Sequence, residues 1–384
     1  MFKKILCLLT LIVALTAKAE NMHFSKYDAD FYLTARFLKT AFENKTDNFV
    51  VSPLSVYTAT TLLANGADGN SKIELEKEIL NKEPYLNMDT LNKTLSNYIE
   101  QKKDTIKITN IMTGEDFKSD YVGKMTKEFF ATLDYKNTKP GEIKLTNIVE
   151  FEDFWVEPFK SYNTAVDKFY SLDGQTDEVD MMYDDERLTD YYQDEKMQAI
   201  RLPYRDGNVM HIFLPREGVD FKDFIQNLQA TDLYLDYHPL PVEIFIPKFS
   251  FEYTLDNMIP FYQQWGVKDI FGPKSNLSQL SDTPYYVSKI THKTKIKTDE
   301  LGTAAYAMTE QGLANFGDTG GSLEPKKWKM IFKANRPFVF MINNGDFVGV
   351  YVKGQRQKNE GNVVSGARNL AKAIAWFIKW INER

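Results

Sequence analysis

The sequence predicts an α+β fold with large mixed or antiparallel sheets, and three observations predict it. Helical spacing of apolar residues dominates the first hundred positions, and strand spacing dominates most of the rest. Few helical stretches separate the later strands, which is the order of an α+β chain rather than of repeated β-α-β units. The composition, 43% apolar with 14% aromatic residues, is that of a chain able to bury a large core.

The first element is a leader. In "MFKKILCLLTLIVALTAKAE" two lysines precede an apolar run from Ile5 to Leu15, and Ala17-Lys18-Ala19 offers small residues for cleavage before Glu20. The run is too short to cross a bilayer, so residues 1–19 read as a secretory signal peptide. The expected destination is extracellular, or periplasmic for a bacterial source. The only cysteine, Cys7, lies inside this leader, so the mature chain is expected to have neither thiol nor disulfide and to rest on its core alone.

Residues 29–44 carry apolar side chains at helical spacing. "NFVVSPLS" (48–55) reads as a short buried strand stopped by Pro53, with Ser55 as N-cap of "VYTATTLLANGAD", a nearly uncharged helix that must be buried. A more exposed helix follows at 70–80 and another at 88–102. Strands are expected at 105–112, 131–135, 146–159, 196–204 and 209–215, then 241–253, a helix around 255–265, and strands at 287–298, 328–342 and 347–354. The sequons at Asn44, Asn92 and Asn276 are weak signals for glycosylation.

Chemistry is scarce. HExxH, GxSxG, GxGxxG and phosphate-loop motifs are all missing. His23, His211, His238 and His292 lie far apart without metal-ligand spacing, so no metal or cofactor is expected. The acidic pairs Asp184-Asp185 and Glu152-Asp153 read as solvated surface. A net charge of −6 and the lack of a basic stripe argue against nucleic acid as partner.

One run stands apart. "ELGTAAYAMTEQ", Glu300 to Gln311, has strand periodicity, with Thr303, Ala305, Ala307 and Thr309 on one face and Ala304, Tyr306, Met308 and Glu310 on the other. Yet it leads into "GLANFGDTGGSLEP", which reads as a long exposed loop.

In their order and spacing, several stretches carry a resemblance to the serpin family up to about Gly354: "NFVVSPLS", "NGADGNSKIELEKEI", "NIVEFEDFWVEPF", "VDMM", "IRLPYRDGNVMHIFLP", "IPKFSFEY", "WGVKDIF", "VSKITHKTKIKTDELGTAA" and "FKANRPFVFMI". The resemblance implies one serpin-like domain over residues 20–355, with a large central sheet, helices packed behind it and an exposed reactive loop. It makes Glu300, Gly302, Thr303, Ala305, Ala307 and Thr309 the hinge of that loop, which enters the sheet as an extra strand once a protease acylates it. A face of small residues suits such a strand, because a packed interior has no spare volume. Ser52, Ser55, Asn147 and His292 match the polar group beneath the point where the sheet opens, and Trp155 matches a residue at its top, beside Glu300. The implied partner is a target serine protease held as a covalent acyl complex, with a cysteine protease less favoured; the implied protein is an inhibitor, not an enzyme. A non-inhibitory carrier, chaperone or storage protein is the alternative.

Three departures qualify that pattern. The family lays a helix across the front of the sheet, whereas here only eight residues, Lys139 to Thr146, precede Asn147. Tyr306 and Met308 are bulkier than usual in a hinge. The loop is long, and the chain continues as an extension, 356–384, whose Leu370, Ile374, Phe377 and Ile381 share one helical face. That helix reads as packed on the body in preference to a membrane surface. The family's spacing forward from Glu300 puts the reactive bond at Phe316-Gly317; counting back from "FKANRPF" puts it between Leu323 and Lys326.

Overall fold

The computed structural model describes residues 26–44, 47–80, 87–129, 132–134, 139–303 and 329–356. The leader, most of the loop and the C-terminal extension lie outside them. The chain opens with α1 (Lys26–Asn44), whose Leu33, Phe37, Leu38 and Ala41 are buried at helical spacing. Strand β1 (Phe49–Val51) leads directly into α2 (Pro53–Gly66). The expected N-cap at Ser55 is corrected: Ser52 is the cap, its Oγ accepting from the Ser55 amide at 3.1 Å. Pro53 does not stop the chain but starts the helix, at the first helical position where its missing N–H is no loss. Nearly every side chain of α2 is buried, as its lack of charge requires.

Next come α3 (Gly69–Glu78), α4 (Met88–Lys102), β2 (Ile106–Thr113), α5 (Ser119–Phe129), β3 (Thr132–Asp134), β4 (Glu142–Phe151) and β5 (Asp153–Phe154). Helix α5 was unexpected: of its residues with described burial, 119–127, only Tyr121 and Met125 are buried, and Gly123 interrupts its pattern. Strand β4 begins at Glu142, earlier than expected, so seven residues, 135–141, separate it from β3. Among the described residues no helix lies between these two strands.

Strands β6 (Ala165–Tyr170), β7 (Thr176–Gln193), β8 (Met197–Pro203) and β9 (Val209–Pro215) follow, then α6 (Phe221–Asn227), β10 (His238–Pro247), β11 (Phe249–Leu255), α7 (Ile259–Gln264) and β12 (Tyr286–Thr298). The two-residue β13 (Gly302–Thr303) precedes the loop, and β14 (Met330–Lys333), β15 (Phe338–Ile342) and β16 (Phe347–Tyr351) close the fold. The expected single strand at 241–253 is two, and it continues to Leu255, delaying α7 to Ile259.

These strands make two sheets. A nine-stranded sheet runs β1-β16-β15-β9-β8-β7-β10-β14, with β6 on β7; a seven-stranded sheet runs β3-β2-β4-β12-β13-β5, with β11 on β12. β15 and β16 are buried on both faces. In β4, by contrast, Ile143, Leu145, Asn147, Val149 and Phe151 turn inward while alternate residues face outward. Asn92 is 1% exposed and exchanges hydrogen bonds with Asn65, so its sequon is closed to glycosylation in the folded chain.

Candidate functional site

The seven-stranded sheet has a seam that forks. β4 and β12 are parallel neighbours from Glu142↔Tyr286 to Glu150↔Lys295. Beyond that pair they part, and β13 fills the gap: Thr303 pairs with Thr298 of β12 and with Asp153 of β5, and Gly302 pairs with Phe154. Gly302 and Thr303, the part of the expected hinge that is described together with Glu300, therefore lie in the sheet as a short antiparallel strand. Gly302 is needed where it stands, because a Cβ there would sit 2.2 Å from the Asp153 carbonyl oxygen.

Thr303 is fully buried, its hydroxyl 2.6 Å from the Tyr204 hydroxyl and 3.0 Å from that of Thr298. Trp155 stacks on Tyr204 at 4.2 Å, and its backbone N–H donates to the Leu301 carbonyl at 2.9 Å. The indole Nε1 donates to the Asp299 carbonyl at 3.0 Å. Glu300 is 5% exposed. Burial alone would raise its pKa, but the Lys248 ammonium at 2.8 Å and a hydrogen bond from the Thr164 hydroxyl at 2.7 Å hold it below the usual carboxylate value. Glu300 is thus a charged peg fixing the base of the hinge to β11's neighbour residue Lys248 and to the segment before β6.

Halfway down the seam lies the polar cluster. Asn110, Asn147 and His292 occupy one row across β2, β4 and β12 and point toward the N-terminus of α2. His292 Nδ1 lies 2.6 Å from Asn147 Oδ1, and its Nε2 accepts the Ser52 backbone N–H at 3.1 Å. That arrangement fixes a neutral ring with its proton on Nδ1, and burial pushes its pKa down to about 3. The Ser55 hydroxyl also donates to Asn147 Oδ1. Asn147 Nδ2 donates to Asn110 Oδ1 at 2.8 Å, while the Asn110 amide nitrogen has no partner among the described residues. All five side chains are essentially inaccessible to water.

The structure thus brings Ser52, Ser55, Asn147 and His292 into one cluster, and Glu300, Gly302, Thr303 and Trp155 into another at the top of the same seam. Ala305, Ala307, Thr309 and the bond Phe316-Gly317 lie outside the described residues. The expectation that Glu152-Asp153 is solvated surface is corrected for Asp153, which is 2% exposed. No sequence signal marked it, nor its partner Asn208, because their contact spans 55 positions and follows no periodicity. Among the described residues, no group of three His, Cys, Asp or Glu side chains could hold a metal, and no helix is long and apolar enough to cross a membrane.

Comparison with known proteins bears on this arrangement. The family described as Serpin (serine protease inhibitor) matches residues 32–142 and 136–353. Serine protease inhibitor 2 of Anopheles gambiae is 26% identical, covering 88% of this chain and 94% of its own length. The native-state structure of the thermophilic serpin tengpin superimposes with a TM-score of 0.72 at 25% identity, over 87% of this chain and 95% of the other. Human thyroxine-binding globulin, solved with its hormone, superimposes with a TM-score of 0.71 at 19% identity, over 86% of this chain and 98% of the other, a likeness of fold alone.

Proposed function

The chain belongs to the serpin family, and from that premise we propose that it is a secreted suicide-substrate inhibitor of a serine protease, acting by insertion of its cleaved loop into the seven-stranded sheet. The observation that carries this reading is β13. Its two residues occupy the fork between β5 and β12 in a register that can be continued. Carried down the seam, that register sets Ala305 beside Ile296 and Phe151, Ala307 beside Thr294 and Val149, and Thr309 beside His292 and Asn147. All six partners face inward, so the small face of the hinge would meet the core and no large side chain would be forced into it. Thr309 would arrive at the one polar level. Its hydroxyl can donate to Asn147 Oδ1 and accept from His292 Nδ1, replacing the bond those two groups now make with each other.

Tyr306 and Met308 would face outward beside Lys295 and Glu150, and beside Lys293 and Ile148, none of which is buried. Their bulk is then no obstacle. Chemically the protein is a substrate that fails to leave. The protease's serine attacks the carbonyl of the scissile residue, an acyl ester forms, and the new amino terminus departs. Insertion then carries the ester away before water cleaves it, driven by an uncleaved state that is held kinetically.

A second reading, a non-inhibitory carrier, draws support from the short 135–141 connection, between two strands that no described helix separates. One experiment separates the two. Mixed with a chymotrypsin-like protease, the protein should give a complex that survives boiling in detergent. Loop cleavage with full recovery of protease activity would leave the carrier reading instead.

A further inference from the structure

Asp153 stands at the fork of the seam, where the chain passing from β4 to β5 moves one strand away from β12. It is held there by Asn208 from outside this sheet and by the amide of its own neighbour in β5. Its Oδ2 accepts from Asn208 Nδ2 at 2.8 Å, and its Oδ1 accepts the Phe154 amide at 2.7 Å. Asn208, fully buried between β8 and β9, also donates to the Thr105 hydroxyl and accepts from Lys102 Nζ at 2.6 Å. Its Oδ1 takes a second bond from Asn343 Nδ2 at 2.9 Å. Asn343 in turn bonds the Asp346 carboxylate, which the Tyr98 hydroxyl also reaches at 2.7 Å. The Asp346 carbonyl accepts from Ser52 Oγ at 2.6 Å. A continuous chain of hydrogen bonds, Asp153–Asn208–Asn343–Asp346–Ser52, buried except at the half-buried Asn343, therefore joins the level of Gly302 and Thr303 to the polar cluster under the seam.

We propose that Asp153 is a positioning residue for the hinge: it holds β5 apart from β12, keeps the fork open for Gly302 and Thr303, and so sets how fast further loop residues enter. This rests on the insertion reading above. A carboxylate is the stronger anchor in its charged form, since an ionised acceptor makes the shorter and stronger hydrogen bonds. Burial raises its pKa to about 6, opposed by the Asn208 bond and assisted by the charge of Asp206. The other charged or titratable groups facing it are Arg205 and Tyr204 at the end of β8, with Lys102 behind Asn208. The sign follows from the anchor. Insertion is faster with Asp153 ionised and slows as pH falls through about 6.

The test uses the full uncleaved protein and a fluorescent, acetylated peptide of residues 303–314, whose uptake into the seam is followed by anisotropy between pH 5.5 and 8. Wild-type uptake should slow by about threefold across this range, because a protonated form about tenfold slower, the size of one charge-assisted hydrogen bond, still leaves about a quarter of Asp153 ionised at pH 5.5. Asp153→Asn should be slow and flat with pH. Asn208→Ala, read from the other side of the contact, should be slow at pH 8 even if the Asp153 variant fails to fold. A wild-type rate at pH 8 in either variant, or wild-type pH dependence in Asp153→Asn, overturns the proposal. No peptide uptake by the wild-type protein overturns the insertion reading along with it. Normal peptide uptake without protease inhibition would sink the inhibitor reading and leave the role of Asp153 standing.

Discussion

At the scale of single residues, Thr303 and His292 show how much meaning a buried polar atom can carry. Thr303 is the last described residue of the expected hinge, and its hydroxyl sits between those of Tyr204 and Thr298. An arginine there would have to bury a guanidinium near Tyr204, on which Trp155 and Phe151 pack, beside Asp153, whose carboxylate Asn208 already occupies. The penalty is several kcal/mol, about two to three orders of magnitude in insertion rate. Thr303→Arg should therefore be cleaved as a plain substrate, with covalent complex on a detergent gel falling more than tenfold. Inhibition equal to the parent's would mean that the loop never enters here. The sequence made Thr303 legible because its periodicity is local. It did not make Asp153 legible, since an acidic residue in "FEDFW" looks exposed until Asn208 is brought against it from 55 positions away.

At the scale of elements, the polar row Asn110-Asn147-His292 ties β2, β4 and β12 to α2. Deleting the imidazole leaves the Ser52 amide without its acceptor and Asn147 Oδ1 with one donor fewer, and it opens a cavity beside Phe37, whose ring centre lies 6.2 Å from the imidazole. His292→Ala should lower stability by about 2–4 kcal/mol near pH 7.5, measured by urea unfolding. The pH dependence has a definite sign. The folded pKa of about 3 lies below the unfolded 6.5, so the native state takes no proton where the unfolded chain does. Wild-type stability contributed by this group is present above pH 6.5 and lost as pH falls, so the gap between wild type and His292→Ala should narrow toward pH 5. A constant gap would mean that the ring is not buried neutral. Elements that alternate cleanly, such as β4, were readable in the chain. The long β7 was not, because "DDER" in its middle breaks any apolar rhythm: Asp185 and Glu186 lie at the exposed turn of the strand while Arg187 is buried over the Phe159 ring at 4.3 Å.

At the scale of the whole molecule, we propose that the length of the seam selects the bond that is cut. Antiparallel register from Thr303↔Thr298 pairs each later loop residue with an earlier residue of β12, and the pairing ends at Tyr286, the first residue of that strand, opposite Asn315. On the other side, the register from Thr303↔Asp153 reaches the start of β4, Glu142, opposite Ala314. A loop severed after Phe316 would therefore fill the sheet from end to end with one residue to spare. Those fourteen residues, Thr303 to Phe316, span about 46 Å, close to the roughly 50 Å width of a compact domain of this length. An acylated protease would be drawn to the far pole and pressed against the body, its active site distorted. Severed at Lys326, the loop would carry ten more residues, about 30 Å of slack, and an undistorted protease could complete hydrolysis. The extra length of this loop belongs after the cut, as a spacer leading back to β14. We therefore expect Phe316-Gly317 to be the scissile bond and the target to prefer an aromatic side chain, as chymotrypsin-like or subtilisin-like enzymes do. Mass spectrometry of the fragment released from the complex decides it. A C-terminal fragment beginning at Gly317 fits the seam, and one beginning at Lys327 or Trp328 would show that the length of β12 does not set the cut.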